Sequence, residues 1–238
     1  VIYNADDPLV VDVVESDQSP LKKIPYHTPA YRVVNERTVL ETPLGDVPLQ
    51  VFGAHNASNV EAARWLAQEM GLDDETFYES MTSFKGASKR LESLPTGNAR
   101  VLAFKDFAHA PSKVKATVAA LREQFPNRRV VACLELHTFS SLNPDFLPLY
   151  AGTLDGADVP LVYFNPQAVA HKKLPELNAG QVGAAFGFPT PEVITNSIDV
   201  RAALDQAVGT DGIPTVVALM SSGNFDGNDV SEWTRSWA

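Results

Sequence analysis

The chain has 238 residues, 45% hydrophobic and 9% aromatic, so it is long enough for one large or two modest domains with a proper core. Its formal charge of −10 argues against a nucleic-acid-binding protein, because a phosphate backbone requires clustered lysine and arginine. It lacks the run of about eighteen apolar residues that indicates a membrane span, and its single cysteine, Cys133, excludes a disulfide framework and favours a reducing, cytoplasmic location.

The first part of the chain is predicted to be rich in short strands. Apolar or alternating runs over residues 1–4, 31–34, 38–41 and 47–52 are separated by Pro, Gly and Asp turns. The chain opens inside such a run, with neither an initiator methionine nor a leader pattern. We therefore expect it to be the C-terminal part of a longer protein.

A change of period then predicts helices. Apolar residues at helical spacing, namely Ala63, Leu66, Ala67 and Met70, indicate a helix that Gly71 ends. A second helix is expected from Asp73 to about residue 83. Residues 93–98, rich in Pro, Thr, Gly and Asn, carry the best linker signal in the chain.

Beyond that linker, strands and helices alternate. The strands are expected over residues 101–105, 129–135, 159–164, 192–195 and 215–219, and the helices over 112–124 and 197–208. Apolar strands alternating with amphipathic helices predict a mainly parallel sheet covered on both faces. The predicted fold class is therefore α/β, with an incomplete first domain over residues 1–92 and a complete Rossmann-like domain over residues 93–238.

Two asparagines stand at the start of the first predicted helix. Asn56 and Asn59 are three residues apart and share one face, where a helix leaves amide N–H groups free. Carboxamides in this position can pair with an adenine edge. An ordinary helix cap by asparagine is the alternative.

Charged residues follow near the expected domain junction. Arg90 can reach a ribose or phosphate through its forked donors, or it can be a solvated surface charge. Asp106 follows a predicted parallel strand, at the sheet edge where ligands bind, and suits ribose hydroxyls. His109, just before the helix that Pro111 opens, can contact a phosphate or a reacting carboxylate. A turn-stabilising aspartate and a capping histidine are the alternative.

A last polar loop, residues 221–227, should leave the same sheet edge after the strand over 215–219. Ser221 and Ser222 suit contact with a peptide or an acyl phosphate, although composition alone equally allows a plain exposed turn. No metal site is expected, because the histidines and Cys133 do not show metal-ligand spacing.

Three motifs occur in a telling order: Gly-x-His-Asn-x-x-Asn from Gly53, Phe-x-Gly-x-x-x-Arg from Phe84, and Asp-Phe-Ala-His-x-Pro from Asp106. In this order they resemble the Mur ligases, ATP-dependent enzymes that build bacterial cell-wall peptides. The resemblance covers nearly the whole chain. It implies that the first domain is the C-terminal portion of a central ATPase domain and the second is the C-terminal Rossmann-like domain. The residues that it implies for nucleotide binding are His55, Asn56, Asn59, Arg90 and Asp106, and those for catalysis are His109, Ser221 and Ser222.

The resemblance also implies a reaction, in which ATP and Mg²⁺ drive amide formation on UDP-N-acetylmuramate through an acyl phosphate. Residues 89–92, 134–141 and 220–227 are most similar to members that attach an L-Ala-γ-D-Glu-diamino-acid peptide during cell-wall recycling. Members that add L-alanine are the alternative, although Thr138 and Ser141 stand where those members have arginines. A non-catalytic Rossmann-like binding module is the hypothesis from another class.

The chain contains no Gly-x-x-x-x-Gly-Lys-Ser/Thr phosphate loop. In the family, the phosphate-binding lysine and the metal ligands belong to the part that precedes this region. We therefore expect the 238-residue chain alone to bind no nucleotide tightly, to hydrolyse no ATP and to form no amide.

Overall fold

The computed structural model describes residues 1–237 and divides into two compact units, Val1–Gly86 and the chain from Ala87 onward. The strands of the first unit are β1 (Ile2–Asn4), β2 (Ile24–Tyr26), β3 (Tyr31–Val34), β4 (Arg37–Thr42) and β5 (Gly45–Pro48). Its helices are α1 (Pro8–Ser16), α2 (Ala54–Glu69) and α3 (Asp74–Met81).

The first unit contains two small sheets. β1 pairs in parallel with β2, and β3, β4 and β5 form an antiparallel sheet in that order. Leu40 and Val47 of this sheet pack with Val60 of α2 and with Phe77 and Tyr78 of α3 in one hydrophobic cluster. The unit therefore has a core of its own.

Helix α1 lies in a region where only strands were predicted. Asp7 caps it by accepting hydrogen bonds from the backbone N–H groups of Leu9 and Val10, and Pro8 occupies its first turn. Both features favour a helix start. The β-branched residues that follow concealed this signal, because they raise strand propensity without excluding a helix.

Helix α2 was predicted correctly, but its buried face was not. Leu66 and Met70 of the expected apolar stripe are 55% and 80% exposed, whereas Ala57 and Val60 lie in the core. The apolar period identifies the helix. The face that it buries depends on the core residues of β4, β5 and α3 that it contacts.

The second unit is larger. Its strands are β6 (Glu92–Leu94), β7 (Val101–Asp106), β8 (Arg129–Leu136), β9 (Val159–Phe164), β10 (Glu192–Ile194) and β11 (Thr215–Met220). Its helices are α4 (Pro111–Gln124), α5 (Pro166–His171), α6 (Ala179–Phe186), α7 (Ser197–Val208) and α8 (Val230–Arg235). Two short 3₁₀ turns cover Leu147–Tyr150 and Phe225–Gly227.

One six-stranded sheet runs through this unit in the order β10-β9-β8-β11-β7-β6. All neighbours are parallel except β6, which is antiparallel to β7. This confirms the α/β fold class and the mainly parallel sheet. Because β7, β8, β9 and β11 run in one direction, their carboxyl ends meet at one edge of the sheet, as ligand sites in such folds require.

The predicted linker is partly wrong. Ser93 and Leu94 belong to β6, where Leu94 pairs with Ala103 of β7 and is buried. The division between the units comes earlier than residue 92, after Gly86. Residues 95–98, with the sequence Pro-Thr-Gly-Asn, instead belong to the connection from β6 to β7. Such turns favour the same residue types as a linker does. The last residue of the expected second domain, Ala238, lies outside the described residues.

Helices α5, α6 and α8 were not predicted, because six to eight residues are too few for a clear apolar period. Within residues 1–237, no helix combines the length and apolar composition that crossing a bilayer requires.

Helix α4 buries an apolar face against the sheet, and Leu121 in it is fully buried. We expect Leu121→Ala to lower the free energy of unfolding by about 2–5 kcal/mol, because it removes buried methyl groups and leaves a cavity. Lys115→Ala, on the exposed side of the same helix, should change it by less than about 0.5 kcal/mol. Urea denaturation followed by circular dichroism measures both. Equal losses in the two variants would contradict this placement of the helix.

Candidate active site

The start of α2 has no side-chain cap. Its cap is Gly53, which has a φ of 87° and offers no side chain to the N–H groups of the first turn. Asn56 lies in this turn and Asn59 lies three residues on, exposed, so the predicted helix start is confirmed. Neither asparagine is the cap. The Asn56 amide donates to the carbonyl of Phe52 at 2.9 Å, which leaves its side-chain oxygen as the group that can accept from a base.

Arg90 lies in a loop that the rest of the second unit orders. The residues on either side of it, Lys89 and Leu91, have φ values of 56° and 47°, a region that costs energy for non-glycine residues. Glu92 compensates by accepting from the Lys89 backbone N–H at 2.7 Å, and Phe107 donates its N–H to the Lys89 carbonyl at 2.8 Å. The Arg90 side chain is exposed, on a loop joined to the one that follows β7.

Asp106 ends β7 at the carboxyl edge, as expected, but it is 7% exposed. One carboxylate oxygen accepts from the Ala108 N–H at 2.9 Å and the other from the Thr117 hydroxyl at 3.1 Å. These contacts are those of a turn-stabilising aspartate, the alternative role considered above. Ribose binding by Asp106 stays a prediction.

His109 has a defined ring orientation. Its Nδ1 lies 2.8 Å from the Phe107 carbonyl oxygen, and since a carbonyl can only accept, Nδ1 carries the proton of this hydrogen bond. The neutral ring then presents Nε2 as an acceptor. The backbone is anchored as well, because the buried Tyr150 hydroxyl donates to the His109 carbonyl.

The loop from Ser221 to Gly227 also begins at this edge, and it is not a plain exposed turn. Ser221 donates its backbone N–H to the Asp106 carbonyl at 2.9 Å and is 5% exposed. Its hydroxyl donates to Glu135, a residue that sequence reasoning missed. The Ser222 hydroxyl oxygen is buried and has no hydrogen-bond partner within residues 1–237. Ser221 thus faces inward, and its catalytic role stays a prediction.

The structure therefore brings Asp106, Ser221 and the backbone of the Arg90 loop together, with His109 in the loop after β7. Asn56 and Asn59, like His55, belong to the other unit. The single nucleoside site that the resemblance implies for both groups stays a prediction.

A polar cavity of about 450 Å³ opens where β9 and β10 end. Its lining residues are Asn165, Pro166, Gln167, Thr195, Asn196, Ser197 and Asp226. One Asp226 oxygen accepts from the Tyr163 hydroxyl at 2.5 Å and from the Asn165 amide at 2.7 Å. Burial and this neighbouring carboxylate raise the pKa of Tyr163. A carboxylate, amides and hydroxyls make the cavity suitable for a polar ligand.

Among residues 1–237, no three His, Cys, Asp or Glu side chains group so that they could hold a metal ion. Cys133 is fully buried in β8, and burial raises the pKa of its thiol. It is a core residue of the second unit.

Tyr150 provides a test of the His109 anchor. Tyr150→Phe should lower the free energy of unfolding by about 1 kcal/mol, because the His109 carbonyl loses its donor. Burial raises the pKa of Tyr150 from 10.0 to about 12. The folded-state pKa is higher than the unfolded one. The stability that the Tyr150 hydroxyl contributes is therefore fully present below pH 10.0 and is lost as the pH rises through about 12.

Guanidinium chloride denaturation at about pH 8 and about pH 11 measures this difference. The wild type should lose more stability between the two conditions than the variant, which has no hydroxyl to ionise. Identical stabilities and identical pH dependence would show that the hydroxyl does not anchor His109.

No family model matches the chain. The UDP-N-acetylmuramate–L-alanine ligase of Agathobacter rectalis is 32% identical over 185 residues, which cover 75% of this chain and 40% of that protein. The chain thus spans less than half the length of this relative.

Two solved structures share the fold. The UDP-N-acetylmuramate-alanine ligase of Thermotoga maritima superposes with a TM-score of 0.67 at 15% identity, over 95% of this chain and 49% of that one. A murein peptide ligase from Psychrobacter arcticus superposes with a TM-score of 0.54 at 18% identity, over 95% and 48%. Together, the sequence similarity and the shared fold support the assignment of this chain to the Mur ligase family, whose C-terminal domain fold the second unit has.

Proposed function

We propose that the chain is the C-terminal part of an ATP-dependent ligase that forms an amide bond on UDP-N-acetylmuramate. The observation that carries this proposal is a pair of backbone hydrogen bonds that connect three loops at the carboxyl edge of the sheet. The Phe107 N–H donates to the Lys89 carbonyl, and the Ser221 N–H donates to the Asp106 carbonyl, so that parts of two of the three ordered motifs meet the Ser221–Gly227 loop in one unit. The similarity to an L-alanine ligase supports the same activity class.

In the proposed reaction, a muramyl carboxylate attacks the γ-phosphate of ATP to give an acyl phosphate and ADP. An amine then attacks the activated carbonyl, and phosphate leaves. ATP and Mg²⁺ supply the activating phosphate and its charge neutralisation. The residues of this chain would contribute positioning, Arg90 towards the nucleotide and His109 towards the reacting groups.

We propose a peptide of the L-Ala-γ-D-Glu-diamino-acid type as the amine substrate, as in a murein peptide ligase that recycles cell-wall peptides. The sequence similarity at residues 134–141 and 220–227 supports this choice. The cavity of about 450 Å³ beside the Ser221–Gly227 loop also has room for more than an alanine side chain. L-alanine is the second candidate, because the relative at 32% identity is named an L-alanine ligase.

The full-length protein of the gene, incubated with ATP, Mg²⁺ and UDP-N-acetylmuramate, distinguishes the candidates when each amine is offered separately. We expect mass spectrometry to detect the peptide product, with kcat/KM for the peptide exceeding that for L-alanine at least about tenfold. Product from L-alanine alone would select the second candidate. Absence of ATP-dependent product with both amines would contradict the proposed function.

The nucleotide residues can be tested in the same assay. We expect Arg90→Ala to raise the KM for ATP about tenfold, because a charge-assisted hydrogen bond is lost. Arg37→Ala, which removes another exposed arginine, is the matched control and should leave this KM unchanged. Equal KM values in the two variants would remove Arg90 from the nucleotide site.

The 238-residue chain alone should hydrolyse no ATP, because the phosphate-binding lysine is expected elsewhere in the longer protein. Release of phosphate by the purified chain above a blank without protein would contradict the prediction that ATP hydrolysis needs the rest of the longer protein.

A further inference from the structure

A buried carboxylate lies beneath the Ser221–Gly227 loop. Glu135 is the penultimate residue of β8 and is 2% exposed, in a strand that is otherwise apolar from Val130 to Leu136. Burying a carboxylate is costly unless hydrogen bonds compensate for the lost water. The hydrogen-bond donors to Glu135 therefore indicate its role.

Those partners come from the loop. One oxygen of Glu135 accepts from both the Ser221 hydroxyl and the Phe225 backbone N–H, the latter at 2.9 Å. The Ser221 hydroxyl oxygen in turn accepts from the Gly223 N–H at 2.7 Å. A single carboxylate oxygen thus determines the position of three loop residues.

The loop has little room for another conformation. A Cβ atom on Gly223 would lie 2.8 Å from Cγ of His137 and 3.0 Å from the Glu135 oxygen. Phe225 and Asp226 have φ values of 49° and 56°, which are strained for such residues. The hydrogen bonds that Glu135 accepts are among the contacts that can compensate for this strain.

We propose that Glu135 is a positioning residue for the amine-bearing substrate. It acts through the Ser221–Gly227 loop and places Asp226 in the wall of the cavity beside Asn165. This inference rests on the proposed ligase function. Glu135 does not itself contact the substrate. Its hydrogen bonds, rather than its negative charge, hold the loop in position.

Two substitutions separate these properties. In Glu135→Gln, the amide oxygen can accept from both donors, because Ser221 and Phe225 bind the same carboxylate oxygen. The NH₂ group then replaces the other oxygen, which lies 3.6 Å from Nδ1 of His137. Glu135→Ala removes both hydrogen bonds. In the full-length protein, we expect the alanine variant to raise the KM for the amine substrate about tenfold or more, with the KM for ATP unchanged. The glutamine variant should stay within about threefold of wild type.

Glu192→Ala is the matched control, because Glu192 is an exposed glutamate in a strand of the same sheet. It should change neither KM. If Glu135→Ala does not fold, Gly223→Ala takes its place, since its methyl group displaces the loop and should raise the same KM.

A second readout is independent of catalysis. In the 238-residue chain, amide hydrogen exchange of Gly223 and Phe225 should be faster in the alanine variant than in the glutamine variant or wild type.

A wild-type protein without ligase activity would contradict the proposed function. An active enzyme whose KM for the amine and whose loop exchange are unchanged in the alanine variant, or a glutamine variant as impaired as the alanine variant, would overturn the role of Glu135.

Discussion

The candidate site depends on the central strand β11, which lies in parallel register between β7 and β8. Met220 pairs with Asp106 on one side and with Leu134 on the other, so these strands end at nearly the same level. All six residues of β11 are buried and cannot present polar groups to a ligand. In this unit, the loops at the carboxyl ends of the strands are therefore the candidates for ligand contact. The hydrogen bond from the Ser221 N–H to the Asp106 carbonyl joins two of these loops directly.

Two acidic residues at this edge show how buried charge can organise a loop. Asp106 orders the turn into α4 through Ala108 and Thr117. Glu135 does the same for the loop after β11. In both cases, the hydrogen bonds that compensate for burial are made to loop atoms, so removal of the carboxylate would disorder the loop rather than the sheet. Under the proposed function, substrate binding would depend on such residues as well as on those that contact the substrate.

Family membership and substrate choice have different structural origins. The sheet is shared with solved ligases of two different names, at sequence identities of 15% and 18%. Such a fold establishes where a site lies but not what it accepts. Under the proposed function, the loops and the cavity that Asp226 and Asn165 line are the candidates for selection between amines. This is the reason to test substrates directly rather than to infer them from the fold.

The sequence by itself determined the features that depend on neighbouring residues. The run of apolar residues over Val159–Phe164 and the period over Ser197–Val208 predicted β9 and α7 with their observed bounds, because strand and helix periods are local properties. The tertiary structure alone decided the face that α2 buries, the pairing of β6 with β7 and the contacts of Glu135. Glu135 meets Ser221 and Phe225 at separations of 86 and 90 residues. No local pattern encodes contacts between such distant residues, since they form only when the strands assemble.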